Sequence, residues 1–178
     1  MSAEGTPAAV ASLSDDIAYM EVLLSADPSA LAALGRIAPK VLLIAAASAL
    51  EDQVKEELQR LARAHGHAEL AECVTRGILA RGYHTLFEWD KTNANRFFAL
   101  FGPDAKERCQ AAVGADEALD RSVRAFLELG RLRNNLVHNN YVTFEVPKTV
   151  LDIVELYEAA RVFPTRFGEL LFLNPQAA

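Results

Sequence analysis

Arginine, asparagine and histidine side chains lie together in one short run, RNNLVH, at residues 133–138. A histidine titrates near neutrality, so His138 could accept a proton from an attacking hydroxyl group or donate one to a leaving oxygen. Arg133 stays protonated and cannot act as a base, but its planar guanidinium can bind phosphate oxygens as negative charge develops on them. These residue types therefore suit chemistry at a phosphate group.

The run lies near the end of a predicted helix, Asp116–Asn139, whose apolar residues form one wide arc at about 100° per residue. Arg133 falls inside this arc, and Asn134 and His138 lie together at one edge of it. Arginine is almost never fully buried without a partner, so Arg133 should have an anionic partner or face a cleft. The predicted arc comprises Leu119, Val123, Ala125, Phe126, Leu127, Leu129, Leu132, Leu136 and Val137, whereas Arg121, Arg124 and Arg131 fall on the opposite side.

A second predicted helix, Pro39–His65, carries a misplaced charge of the opposite sign. Its Glu51 projects between Leu58 and Ile44 on the apolar arc. We therefore expect Glu51 and Arg133 to approach one another. They could form a structural buried ion pair or mark a cleft, and the cleft is the more economical explanation because buried ion pairs often add little stability.

Arg133 and His138 are five residues apart, so in a continuous helix their side chains point about 140° away from each other. The two side chains can then act together in either of two ways. The helix could unwind near His138, or two copies of the chain could combine across a dimer.

The segment between residues 81 and 102 is rich in aromatic residues and holds six of the fourteen Phe, Trp and Tyr residues of the chain. We expect a loop and a short helix folded over the core, with the aromatic rings packed into it. The alternative is a platform of exposed rings that stack on unpaired nucleobases. The six residues are Tyr83, Phe87, Trp89, Phe97, Phe98 and Phe101.

The composition indicates one globular domain, with 178 residues of which 51% are hydrophobic and 24% charged. The net charge of −6 argues against a general polyanion binder, so any nucleic-acid role must rest on a local site. Cys73 and Cys109 stand far apart without metal-ligand spacing, which favours a reducing, cytoplasmic compartment. The apolar run at residues 41–50 is about half the roughly 20 residues that span a bilayer, so we expect a buried helix and no membrane association.

Strand-like alternation is almost absent, and helical spacing dominates, so the fold class is all-α. We expect residues 1–14 to form a disordered tail and residues 15–178 to form a single helical domain, with the helix that carries the RNNLVH run near its C-terminal end. The predicted helices are Leu13–Leu24, Pro28–Leu34, Pro39–His65, His67–Arg81, Asn93–Phe101, Asp116–Asn139 and Pro147–Phe163.

The RNNLVH run has the form of an arginine, a polar residue, three more residues and a histidine, and it resembles the R-x4-6-H signature of HEPN domains. The resemblance extends to other stretches and covers roughly two-thirds of the chain. It is to the HEPN branch associated with RiboL-PSP genes. The stretches are LFEWD at 86–90, NRFFALFG at 95–102, AFLELGRLRNNLVHNNYV at 125–142 and LYEAARVF at 156–163.

The resemblance implies a helical-bundle protomer that forms a homodimer, with its active site at the two-fold interface. It implies a metal-independent endoribonuclease in which a ribose 2′-OH attacks the adjacent phosphorus and leaves a 2′,3′-cyclic phosphate. By position, Arg133 and His138 are the catalytic pair, and Asn134 is the polar residue that supports them. Some relatives carry a tyrosine two places after the histidine as a target for nucleotidyl modification, but here that place is Asn140 and the tyrosine is Tyr141.

Several further residues are candidates for supporting roles. Glu51 and Asn139 could support the catalytic pair, and His84 in the aromatic segment could contact RNA. Arg131, Asn140 and Tyr141 are further candidates for substrate contacts. His65 and His67 flank Gly66 without enough neighbouring ligands for a metal, so we expect neither a metal nor another cofactor.

Two hypotheses follow. The first is a homodimeric endoribonuclease that acts on RNA as a toxin or antiphage defence effector, with an antitoxin or other regulatory protein restraining it. The second is a non-catalytic HEPN module that binds RNA, a nucleotide or a partner protein. Retention of both Arg133 and His138 favours the first.

Overall fold

The computed structural model describes residues 5–65 and 74–172. These two ranges form nine α-helices and one π-helical segment, without a β-strand, which confirms the all-α class. The elements are α1 (Gly5–Leu23), α2 (Pro28–His65), the π-helical segment (Val74–Leu79), α3 (Ala80–Leu86), α4 (Asn95–Ala99), α5 (Pro103–Ala115), α6 (Glu117–His138), α7 (Val150–Ala160), α8 (Val162–Thr165) and α9 (Phe167–Phe172).

Helices α2, α6 and α7 pack against one another and form the centre of the bundle. Each buries a stripe of aliphatic side chains at helical spacing, which is what removes most apolar surface from water. Helix α1 packs on α2 and α7, and α5 packs against α4, α6 and α9. Among the fully buried side chains are Leu42, Leu43, Ala46, Leu50 and Val54 of α2, Leu129 and Leu136 of α6, and Ile153 and Tyr157 of α7.

Helix α2 is continuous where we predicted two helices separated before Pro39. Pro39 lies inside it, although an interior proline removes a hydrogen bond and usually breaks a helix. Buried side chains on both sides, Ala38 and Leu42, fix the helix to the core across the proline. By length and composition alone, the stretch Pro28–Ala64 could also cross a membrane, a test that core helices of soluble proteins pass as well.

The N-terminal helix differs from the expected tail. Helix α1 begins at Gly5, and its Val10 and Ile17 are buried against the core. The predicted disordered tail is therefore wrong for residues 5–14, while residues 1–4 lie outside the described residues. The predicted helix His67–Arg81 also lies partly outside them, and the described part of this region is the π-helical segment followed by α3.

Helix α5 was not predicted, because its buried face is small. Only Ala105 and Cys109, four residues apart, are buried in it, so the apolar periodicity that indicates a helix is weak. Gly102 precedes it with a φ of 98°, a left-handed conformation that favours glycine, and Pro103 begins it. The Gly102-Pro103 break thus starts a helix as well as ending one.

The aromatic segment is packed into the core, as the first of the two interpretations predicted. Tyr83, Phe87, Phe97 and Phe98 are all buried. The Phe87 ring lies 4.8 Å from both the Phe97 and the Phe126 rings, measured between centroids. These four buried rings cannot stack on nucleobases, whereas Trp89 is half-buried and Phe101 is 39% exposed. The segment thus fastens α4 and the preceding loop to α6.

Candidate functional site

Helix α6 positions the candidate site and is fixed at both ends. The Asp116 carboxylate accepts a hydrogen bond from the Leu119 N–H at 3.0 Å and caps its N-terminus. At the other end, both the backbone N–H and the side-chain Nδ2 of Asn139 donate to the Asn135 carbonyl, at 3.1 and 2.7 Å. The helix is therefore intact through His138. Asn139, which we expected to support catalysis, caps the helix.

The predicted apolar arc of α6 is confirmed except at its edge. All its members are buried but Val137, which is 47% exposed, and Ser122 is buried in addition, with its hydroxyl donating to the Ala160 carbonyl at 3.4 Å. Arg133 is half-buried, as its place inside the arc predicted. Arg121 and Arg124 are exposed and pair with carboxylates of their own helix.

Arg133 faces a small, nearly filled cavity between α2, α3 and α6. Its volume is about 10 Å³, which is the space of about one water molecule. Four candidate residues from the sequence meet here, because Glu51, His84 and Asn134 line the cavity together with Arg133. The Arg133 guanidinium donates to Asn134 Oδ1 at 3.3 Å.

Glu51 and Arg133 line the same cavity, but they do not contact each other directly. Glu51 accepts a hydrogen bond from Lys55, one turn further along α2, with Lys55 Nζ 2.5 Å from Glu51 Oε1. Among the described residues, no carboxylate oxygen lies within 4.0 Å of the Arg133 guanidinium. Of the two alternatives, the direct ion pair is not formed, and the two residues instead line one small cavity. Lys55 neutralises Glu51 locally, so within the described ranges Arg133 has no carboxylate partner.

Tyr83 also lines this cavity, although the sequence indicated a role only for its aromatic ring and not for its hydroxyl group. Its side chain is buried, and burial raises the pKa of Tyr83 well above its usual range. The nearby Glu51 carboxylate raises this pKa further, and Arg133 lowers it. The raised pKa favours the protonated hydroxyl, so Tyr83 is not suited to act as a base.

Trp89 forms the wall between this cavity and a second one. Its indole N–H donates to the His84 carbonyl at 3.0 Å, and its ring lies 5.2 Å from the Phe87 ring. The ring lies so close to the backbone of α6 that a Cβ at residue 130 would overlap it, which makes Gly130 necessary. His84 itself is exposed at the rim of the Arg133 cavity.

His138 is exposed and lines an open groove of about 480 Å³ on the other side of Trp89. We call this the His138 groove. Asn134 and Trp89 line both cavities, so the two lie side by side. The groove is lined by Phe87, Glu88, Trp89, Asp90, Lys91, Arg96, Arg131, Asn134, Asn135 and His138.

Arg133 and His138 thus face different cavities of the protomer. Because α6 does not unwind before His138, the angle of about 140° between residues five apart is retained. The first of the two ways in which they could converge, a local unwinding, is therefore wrong.

The residues that follow His138 are held away from both cavities. Asn140 Oδ1 accepts from the Val142 N–H at 3.1 Å, which closes a tight turn. Lys40 of α2 donates to the Tyr141 and Val142 carbonyls at 2.8 and 3.2 Å, and its Nζ lies 5.4 Å from the centre of the Tyr141 ring. Asn140 and Tyr141 line neither cavity, whereas Arg131 lines the groove as predicted.

Two cations of the groove, Lys91 and Arg96, were not among the candidate residues predicted from the sequence. Both are exposed residues of the aromatic segment, and neither lies on a patterned helix face where a charge would be out of place. Their proximity to His138 depends on how the segment folds against α6. No sequence pattern could have indicated it.

No group of three or more His, Cys, Asp or Glu side chains that could hold a metal ion occurs in the described ranges. The pair His65 and His67 cannot be assessed, because His67 lies outside them. Comparisons with family models, with curated proteins and with solved structures each found no match to this chain.

Proposed function

We propose that this chain is a metal-independent endoribonuclease of the HEPN type. On this proposal the helical bundle is a HEPN-like protomer of a single domain, and residues Arg133, Asn134 and His138 supply the R-x4-6-H site. The observation that carries the proposal is that one intact helix end carries both an exposed histidine and an arginine with no carboxylate partner among the described residues.

The site residues suit transesterification of RNA. His138 accepts the proton of the ribose 2′-OH as its oxygen forms a bond to the adjacent phosphorus, and the bond from phosphorus to the 5′-oxygen breaks. A protonated histidine gives a proton to the departing 5′-oxygen, and a 2′,3′-cyclic phosphate remains. Arg133 binds the non-bridging oxygens as their charge increases.

Arg133 and His138 face different cavities, which favours a site composed of two protomers. In a two-fold dimer, His138 of one protomer can meet Arg133 of the other. Exposed apolar side chains next to His138 support such an interface, since Val137 is 47% and Val142 is 81% exposed. We therefore include a homodimer with the active site at its two-fold interface in the proposal.

The setting of this activity is also part of the proposal. A ribonuclease in a cell must be restrained, so the chain is a toxin or antiphage effector that acts in the cytoplasm under the control of an antitoxin or regulatory protein. Its cysteine usage supports a reducing compartment, and Cys109 is a free, buried thiol.

The test is cleavage of single-stranded RNA by the purified protein in EDTA. We expect cleavage to persist in EDTA and to stop when the nucleotide 5′ to the cut carries a 2′-deoxyribose. His138→Ala should lower the rate by about 10²–10⁴-fold, and Arg133→Ala by about 10²–10³-fold. Arg121→Ala, on the exposed face of the same helix, is the matched control and should cleave at the wild-type rate.

Two outcomes would contradict the proposal. If the wild-type protein does not cut, or if His138→Ala cuts equally well, the endoribonuclease assignment fails. RNA binding without cleavage would then favour the non-catalytic module.

A further inference from the structure

The His138 groove collects three cations from two distant parts of the chain. Lys91 and Arg96 belong to the aromatic segment, and Arg131 belongs to α6. Packing of Trp89 against the backbone at Gly130 holds these two parts together. The three positive charges therefore converge because of the tertiary fold.

In the part of the chain that the structure describes, these three cations form no ion pair. Within the described residues, no carboxylate oxygen lies within 4.0 Å of the side-chain nitrogens of Lys91, Arg96 or Arg131. By contrast, Arg121 and Arg124 of the same helix form ion pairs at 3.2 and 2.8 Å. The three side chains are therefore free to attract an anion that carries several negative charges.

The groove has the dimensions and charge of a ligand site. Its volume of about 480 Å³ lies within the range of about 300–1,000 Å³ that is typical of ligand pockets. Glu88 and Asp90 also line it, so its charge stays positive by one unit before His138 is counted. The whole chain carries −6, which makes this groove a local exception.

We propose that the His138 groove binds the sugar-phosphate backbone of single-stranded RNA beside the cleaved bond, with Lys91, Arg96 and Arg131 contacting phosphates. This inference rests on the proposed function for the placing of the cleaved bond near His138. A single local groove with one positive net charge on an acidic protein suits a single strand, because duplex binding needs a broad basic face. Asn134 and Asn135 add amide groups that can bond to sugar or base atoms.

The experiment measures binding of a fluorescent 12-nucleotide 2′-O-methyl RNA, which cannot be cleaved because it has no free 2′-OH. Affinity is followed by anisotropy at several salt concentrations for Lys91→Ala, Arg96→Ala and Arg131→Ala. Each variant should weaken binding about 3- to 10-fold, and each lost phosphate contact should lower the slope of log K against log salt by about 0.7. Arg36→Ala and Arg108→Ala remove cations outside the groove and should bind like wild type.

A charge-neutralising variant separates binding from a merely structural role. Glu88→Gln combined with Asp90→Asn removes two negative charges from the same groove, so it should tighten binding about 3- to 10-fold. Thermal melting of each variant verifies that the fold is retained, as expected because the four side chains of Lys91, Arg96, Glu88 and Asp90 are exposed.

The outcomes distinguish this inference from the proposed function. Wild-type cleavage of ordinary RNA, with groove variants that bind and cut as wild type does, would overturn the groove assignment and leave the ribonuclease intact. Binding that the groove variants weaken, in a protein that never cuts, would support the groove and refute the ribonuclease. Absence of saturable binding, tighter binding of a duplex, or equal competition by a polyglutamate peptide would overturn the groove assignment.

Discussion

At the scale of single residues, Arg133 shows how a misplaced charge indicates a site without identifying its partner. Its position on an apolar arc predicted an anionic partner or a cleft, and in the structure Arg133 is half-buried and lines a small cavity. The partner predicted from the same pattern, Glu51, is instead held by Lys55. An ion pair between residues four apart on one helix forms at little entropic cost. An ion pair between two helices forms only if their relative rotation brings the two side chains together. Apart from its bond to Asn134, the Arg133 guanidinium thereby keeps donors that, on the proposed function, bind a phosphate.

Gly130 is the residue whose substitution tests the wall between the two cavities. Gly130→Ala would place a methyl group inside the Trp89 ring, so we expect a loss of about 1–3 kcal/mol in unfolding free energy from overpacking. Urea unfolding measures the loss, and the emission of Trp89, the chain's single tryptophan, reports the displaced ring.

The matched control is Gly35→Ala in α2, where a Cβ has open space. There the substitution should stabilise the protein by about 0.5–1 kcal/mol, because alanine is the better helix residue. Equal effects at the two glycines would show that the close contact between Trp89 and α6 does not exist.

At the scale of elements, α6 carries the candidate site, and its N-terminus is fixed far from it. The Leu119 N–H donates to the Asp116 carboxylate and lowers its pKa, and Arg166, 3.4 Å away, lowers it further. Arg166 also pairs with Glu169 of α9 at 2.6 Å. The start of α6 is thus tied to the C-terminal helices, which fixes the axis on which Arg133 and His138 stand.

The depressed pKa of Asp116 predicts acid sensitivity of this element. A carboxyl group whose folded pKa is lowered stabilises the protein above its unfolded pKa of about 3.9, and this contribution disappears as pH falls through the folded value. Asp116→Asn keeps the cap geometry and removes the charge. Its melting temperature should lie below that of wild type at pH 7, and the gap should narrow towards pH 2–3.

Glu117→Gln provides the control for this pH experiment. Its carboxylate belongs to the same helix turn but is largely exposed, in a pair with Arg121. Because exposed ion pairs contribute little stability, Glu117→Gln should melt close to wild type. A gap for Asp116→Asn that stays constant down to pH 2 would contradict the assigned role of the charge.

At the scale of the whole molecule, the question is whether two copies complete the site. An intact α6 keeps Arg133 and His138 in separate cavities, and exposed Val137 and Val142 lie beside His138. A dimer of these chains carries −12, which limits non-specific binding of RNA. The −6 of the chain argues against broad tracking along a duplex, so on the proposed function RNA binds at a local groove.

Mixing two inactive variants tests the composite site. If each site combines Arg133 of one protomer with His138 of the other, a heterodimer of Arg133→Ala and His138→Ala contains one site with both residues intact. Co-expression of the two variants should then restore about a quarter of wild-type cleavage, since half of the dimers are mixed and each has one competent site. Cleavage of RNA in EDTA and the mass on gel filtration are the measurements.

The mixing experiment also has a clear negative result. A monomeric mass, or a mixed dimer no more active than its parents, would show that the site is not shared between protomers. His138→Ala mixed with itself is the control for recovery caused by co-expression alone.

The local pattern of the sequence determined the all-α class, the position of α6, nearly all of its buried face and the packing of the aromatic segment. It could do so because each helix must bury its own apolar side chains, which fixes their spacing within that element. Pro39 and α5 show the limit of such patterns. Tertiary contacts hold α2 across a proline, and α5 has too small a buried face to be recognised.

Only the tertiary structure decided which charges meet. It pairs Glu51 with Lys55, gives Arg133 and His138 separate cavities, and brings Lys91 and Arg96 beside Arg131. Lys91 and Arg96 lie 40 and 35 positions before Arg131 in the sequence, whereas Glu51 and Lys55 are neighbours on one helix, as are Arg133 and His138. They depend on how elements rotate and pack against one another, a property that periodicity within one helix does not contain.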